Sequence, residues 1–149
     1  MSSKTEVHNL LTKFGDQKAD MELLCPGVMA VKTSLDARKV IDNISELYVS
    51  EPSTLNYTVK WIPVDYWCSP DEIVSTVKDE YRTMFAATDH YSVKIVSRDK
   101  LNEGELLESL KPFLRGTIND EHPQKILRIE VFDKFVAIAL LRPHNIISK

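Results

Sequence analysis

Ile126-Leu127-Arg128-Ile129-Glu130-Val131-Phe132-Asp133-Lys134-Phe135-Val136-Ala137-Ile138-Ala139-Leu140-Leu141 is the stretch from which the fold of this chain can be read. Two apolar runs rich in β-branched residues stand only two positions apart, so they must pair as a tight antiparallel hairpin around Asp133-Lys134. Just upstream, Tyr91-Ser92-Val93-Lys94-Ile95-Val96-Ser97-Arg98 alternates apolar and polar residues. That alternation predicts a strand with Val93 and Ile95 buried and with Lys94 and Arg98 facing out. Between these strands, Asn102-Glu103-Gly104-Glu105 reads as a helix start, with Asn102 as cap and Glu105 as its reciprocal partner. The helix carries Leu106, Leu107, Leu110 and Leu114; Pro112 kinks it, and Gly116 can end it in the left-handed conformation.

Further toward the amino terminus, Ser69-Pro70-Asp71-Glu72 combines a serine cap, a proline at the first helical position and a glutamate placed to close a capping box. The helix it starts has an apolar face of Ile73, Val74, Val77, Tyr81, Met84 and Phe85, running to about Ala87. Leu55 to Trp67 reads as a strand with Tyr57, Val59 and Trp61 inside, and Pro63 demands an edge or a bulge because it cannot donate to a ladder. Ser34 is placed to cap a helix whose face is Ala37, Val40, Ile41, Ile44 and Leu47. Gly27 to Thr33 predicts the strand before it. Residues 7 to 14 form a short leading helix, followed by the polar connector Gly15-Asp16-Gln17-Lys18.

The resulting order, β-α-β-α-β-α-β-β, predicts an α/β (α+β) protein. Alternating strands and helices imply parallel pairing, the closing hairpin adds an antiparallel pair, and the sheet is therefore mixed. With 149 residues, 43% of them apolar and 28% charged, the chain is long enough for one domain or one domain with a small appended unit. Its longest apolar run, Phe135 to Leu141, is far short of the roughly 20 residues needed to cross a bilayer, and Met1-Ser2-Ser3-Lys4 lacks an apolar leader. A soluble cytoplasmic protein without a membrane partner is the expectation. Cys25 and Cys68 lack zinc-site spacing and read as ordinary thiols.

Motifs that carry chemistry are missing. The four glycines stand at 15, 27, 104 and 116, so neither GxGxxG nor GxxxxGK[ST] can be written. His8, His90, His122 and His144 lie too far apart in sequence for a local metal motif, and each reads as a loop or surface residue. Asp71, Glu72, Asp79 and Glu80 suit a helix start and a solvated face better than acid–base work. An unrecognised site around Asp65, Tyr66 and His90 is the weakest functional reading. No cofactor, no metal and no catalytic residue is expected. Trp61, Tyr66 and Trp67 offer aromatic surface, although strand aromatics are more often core.

Charge is the better lead. The net charge of −3 opposes indiscriminate polyanion binding, and no DNA partner is expected. Residues 1–90 hold 9 Lys and Arg against 14 Asp and Glu, whereas residues 91–149 hold 10 against 8. The candidate RNA-binding residues are therefore those of the second part: Lys94, Arg98, Lys100, Arg115, Lys125, Arg128 and Arg142. Scattered Lys and Arg are also the usual composition of a soluble surface.

The segment Tyr91 to Arg98, the helix Glu103 to Leu114, and the ending Pro123 to Val131 with Phe135 to Pro143 resemble the THUMP domain. Gly27 to Asp36 and Trp61-Ile62-Pro63-Val64 are similar to stand-alone THUMP proteins that assist tRNA cytidine acetylation. The resemblance implies an amino-terminal segment at 1–20, a ferredoxin-like element at 21–58 and a THUMP-like RNA-binding domain at 59–149. It also implies tRNA, held near its acceptor end, as the ligand. A separate tRNA-modifying enzyme such as an acetyltransferase would then act in trans, with this chain as non-catalytic adaptor. The chain departs from the family pattern in reading Asn119-Asp120-Glu121-His122-Pro123 where an Asn-Pro-Asp type of turn is common, and in turning its hairpin without glycine. Of the basic residues, Arg98 carries over most directly. The alternative is a protein-interaction or assembly subunit that never touches RNA, anchored by aromatics near Trp67.

Overall fold

The computed structural model describes residues 2–98 and 101–149. The chain forms two compact units, one made of the residues up to Pro63 together with His144–Lys149, the other of Val64–Pro143.

The first unit opens with helix α1 (Ser3–Lys13), where Ser2 accepts a hydrogen bond from the Thr5 amide. Strands β1 (Asp20–Cys25) and β2 (Val28–Lys32) then pair antiparallel through Pro26-Gly27, with Gly27 at φ +82°. Strand β1 has no counterpart in the sequence reading, because Asp20 and Glu22 interrupt its apolar residues and Leu23 stays exposed. Helix α2 (Ala37–Ser50) is capped by Asp36, not by the expected Ser34. The cause is Asp16, a buried carboxylate that takes hydrogen bonds from the Ser34 amide and the Thr33 hydroxyl. Val7, Leu10 and Leu11 of α1 share one core with Val40, Ile41 and Ile44 of α2, with Leu55 and with Ile147. Residues 2–20, read as part of a segment apart, thus lie inside this unit.

The run from Leu55 to Trp67, expected as one strand, is broken. Glu6 is 5% exposed, and its carboxylate accepts from the amides of Asn56, Tyr57 and Thr58 and from the Thr58 hydroxyl, at 2.7–3.1 Å for the shorter contact in each case. Amides captured in this way cannot join a ladder, so no strand forms over residues 56–58; Tyr57 and Val59, expected inside, are exposed. After them β3 (Lys60–Trp61) pairs antiparallel with β9 (Ile147–Ser148), while β4 (Tyr66–Cys68) belongs to the second unit. Pro63, which follows β3 in the chain, is buried.

The second unit is built on a mixed five-stranded sheet of order β4-β8-β7-β5-β6. Strand β5 (His90–Ser97) runs parallel to β7 (Lys125–Phe132) and to the two-residue β6 (Thr117–Ile118). Strand β8 (Phe135–Leu141) runs antiparallel to β7 and to β4. The α+β class and the closing hairpin are as expected, with Asp133 taking the positive φ of +43° that the two-residue turn demands. The predicted order persists, except that β1 is added before the first predicted strand, the second is broken into β3 and β4, and β6 and β9 are added. Strand β6 covers only His90 and Tyr91, so among the described residues the remainder of β5 edges the sheet.

Helices α3 (Ile73–Tyr81) and α4 (Glu103–Leu110) lie on one face. Ile73, Val77, Leu106 and Leu110 pack there with Tyr91, Leu127, Ile129, Val131, Val136 and Ile138. The Ser69–Glu72 capping box forms as read, ahead of α3. Met84, expected on the apolar face of α3, is exposed because α3 ends at Tyr81 and a tighter 3-10 turn carries Arg82–Met84 away. Asn102 caps α4 through the Glu105 amide, and Pro112 sits in a 3-10 turn that ends it. Gly116 has φ +110°, and a Cβ there would stand 2.4 Å from the Asp89 carbonyl.

Candidate nucleic-acid interface

Side chains on adjacent strand positions point to opposite faces, so the register of β5 and β7 sorts the seven basic candidates. Tyr91, Leu127 and Ile129 face the helices. Lys94, Arg98, Arg128 and Glu130 therefore face the other way. Lys94 pairs in register with Arg128, and Val96 with Glu130. The Arg98 amide continues the ladder to the Val131 carbonyl, which brings Arg98 level with Phe132.

On this face one carboxylate serves two guanidiniums. Glu130 accepts from Arg128 at 2.9 Å and from Arg98 at 3.2 Å. Arg128 is only 8% exposed, and its Nε has no hydrogen-bond partner among the described residues. The Arg98 side chain is 44% exposed and lies 5.6 Å from the Phe132 ring centre, a cation–π distance. Lys94 is exposed. Three cations against one anion leave this face basic. A buried ion pair of this kind is costly to desolvate and stays only when well hydrogen-bonded, so Glu130 is best read as the group that orients both arginines.

Lys125 belongs to the helix face. Its ammonium contacts the Asp89 carboxylate at 2.6 Å and the Met84 carbonyl at 2.5 Å, and lies 5.8 Å from the Phe85 ring centre. That hydrogen bond, with a second from the Ala86 amide, holds the Asp89 carboxyl below its ordinary range, and Arg142 adds a smaller pull. Arg115 is exposed in the loop before β6, and Arg142 follows β8; both lie toward the start of β5. From His90 to Arg98 the strand advances roughly 26 Å, so these residues and Arg98 mark opposite ends of the sheet. Lys100 lies outside the described residues. The candidates thus do not form one cluster: Arg98 and Arg128 meet at Glu130 with Lys94 on the same face, while Lys125, Arg115 and Arg142 stand toward the start of β5.

The aromatic residues divide similarly. Trp61 belongs to the first unit's core margin and donates its indole N–H to Thr58. Tyr66 packs edge-on against Tyr81, and a hydrogen bond to Glu80 pushes its hydroxyl up. Trp67 is different: it shares the face of Arg98, 47% exposed, with its ring centre 6.5 Å from that of Phe132. Phe135, directly across from Phe132, is 53% exposed. Phe135 to Leu141, read as one apolar run, gave no sign that Phe135 is exposed.

Asp65, Tyr66 and His90 are not assembled. Asp65 accepts from the Leu140 amide at 2.8 Å and from the Tyr81 hydroxyl at 3.2 Å. His90 lies three strands away, on the order of 14 Å or more, beside Asn119. Both cysteines are free and half-buried, and burial pushes the Cys68 thiol up. Among the described residues no His, Cys, Asp and Glu cluster is placed to hold a metal ion, and no helix is long and apolar enough to cross a membrane.

No protein-family model matches the chain, and no curated protein does. Among solved structures it is similar to PH1313 from Pyrococcus horikoshii Ot3, with a TM-score of 0.67 over 96% of this chain and 8% sequence identity. Likeness at that identity speaks to fold alone. The chain spans about half of that protein, 48% of its length.

Proposed function

We propose that this chain binds tRNA as a non-catalytic adaptor and presents it to a separate modifying enzyme, by resemblance an acetyltransferase acting on cytidine. One observation carries the reading: Arg98 and Arg128 meet at the Glu130 carboxylate on a sheet face that also carries the exposed Lys94. The Arg98 guanidinium, held by Glu130 and 44% exposed, presents its remaining donors in a fixed direction, which suits phosphate oxygens. The pattern likeness to the THUMP domain supplies the class of RNA, and the basic bias of residues 91–149 agrees with it.

Phosphate contacts make affinity fall with salt, with a slope of about 0.7–0.9 in log K per contact. Lys94→Glu and Arg98→Gln should each weaken tRNA binding in a filter or gel-shift assay at low salt, and each should reduce that slope by about one contact. Lys125→Met, which removes a charge tied to Asp89, should leave both unchanged. Equal binding by all three variants and the parent would reject this face as the RNA site.

A further inference from the structure

We infer that the same face holds a stacking platform for an unpaired nucleobase, formed by Trp67 and Phe135, with Arg98 placed for the adjoining phosphate. The inference rests on the RNA-binding reading above and names what part of an RNA this site takes.

The register sets the platform out. Phe135, Phe132 and Arg98 occupy one level across β8, β7 and β5. At the next level on this face Trp67 stands opposite Ala137. Phe132 is nearly buried and packs against both Trp67 and Arg98, so it fixes their positions and does not itself offer a surface. Trp67 and Phe135 are the two rings left in the open, at 47% and 53% exposure. Two large exposed aromatics on neighbouring strands are unusual on a sheet face that meets only water. Every base has a π-face, and sheet aromatics flanked by cations are a recurrent way to hold single-stranded RNA. Phe135 and Arg98 lie two strand spacings apart, roughly 10 Å, within the span of one nucleotide and its flanking phosphates. A duplex cannot use such a platform, because its bases are already stacked.

Charge favours RNA over a protein partner here. An apolar protein surface would have to desolvate Arg98 and Lys94, whereas a nucleotide offers a ring to Trp67 and an anion to Arg98 at once.

The test follows intrinsic fluorescence of the full chain and its Trp67→Phe variant during titration with a single-stranded oligoadenylate and with a blunt RNA duplex. The single strand should quench the parent and leave the emission of Trp61 in the variant unchanged, and the duplex should quench neither. Trp67→Ala and Phe135→Ser should weaken oligoadenylate binding by about 10-fold while keeping the salt slope, since stacking releases no counterions. Binding with a normal salt slope, a silent Trp67 and unchanged affinity in Trp67→Ala would overturn the platform yet leave the RNA-binding reading standing. Absence of binding to any RNA would remove both. Equal quenching by the duplex would overturn the demand for an unpaired base. A concentration-dependent shift of Trp67 emission without RNA would give the patch to a second copy of the chain and overturn the proposal.

Discussion

Replacing Glu6 by glutamine should destabilise the first unit by about 2–3 kcal/mol at neutral pH. The carboxylate receives three backbone amides and one hydroxyl from Asn56, Tyr57 and Thr58 while only 5% exposed. An amide at this position keeps one acceptor oxygen and turns a donor toward the remaining N–H groups. One or two of those donors then lose their partner, and hydrogen bonds to a charged group contribute about 1.5–3 kcal/mol each. The same contacts predict a pH dependence. Burial raises the Glu6 pKa, but the hydrogen bonds from Asn56, Thr58 and Tyr57 outweigh it, and the net position is below the ordinary 4.5. A carboxyl lowered on folding adds stability that is complete above its unfolded value and is lost as pH falls through the folded one. Parent stability should therefore drop below about pH 4.5, and the Gln variant should lack that component. Urea unfolding of Trp67→Phe proteins followed by Trp61 emission reads this unit, because the Trp61 indole donates to Thr58. A variant within about 0.5 kcal/mol of its parent at neutral pH, with the same acid slope, would refute the reasoning.

Two further outcomes test the second unit. Gly116→Ala should lower stability by at least about 2 kcal/mol in denaturant melts, because a Cβ would meet the Asp89 carbonyl at 2.4 Å in a backbone conformation with φ +110°. Asp89→Asn should lower the thermal midpoint at neutral pH and shrink the loss of stability on acidification by this residue's share, leaving that of Glu6. The sign follows from an Asp89 carboxyl held low chiefly by Lys125, and a midpoint equal to the parent's at both pH values would contradict it.

Much of the second unit was legible in local signals. The capping box at Ser69, the alternation from Tyr91 to Arg98 and the two-residue turn at Asp133-Lys134 each depend on neighbours within a few positions. The first unit was harder, since its shape depends on Glu6 reaching residues some 50 positions away. Nothing in Leu55 to Trp67 announces that its amides are taken. Two-residue strands such as β6 and β9 carry no period at all. Within the site, strand parity already set Arg128 and Glu130 on one face and Lys125 on the other. Parity also favours Leu127, Ile129 and Val131 as the face the helices cover, since Arg128 and Glu130 interrupt the other. The exposure of Trp67 was hidden, as neighbouring Tyr66 and Cys68 are just as apolar yet turn inward.

The last six residues close a unit that the first sixty begin, while everything between them forms a sheet of its own. On a ribosome the later-encoded sheet is therefore complete before the earlier one can be fastened, an inversion of the usual amino-to-carboxyl order of maturation. Strand β3 must wait unmatched until β9 has been made. Cutting the chain after Pro143 should spare the sheet that carries Lys94 and Arg98 and leave α1 and α2 without Ile147 and the β9 clasp.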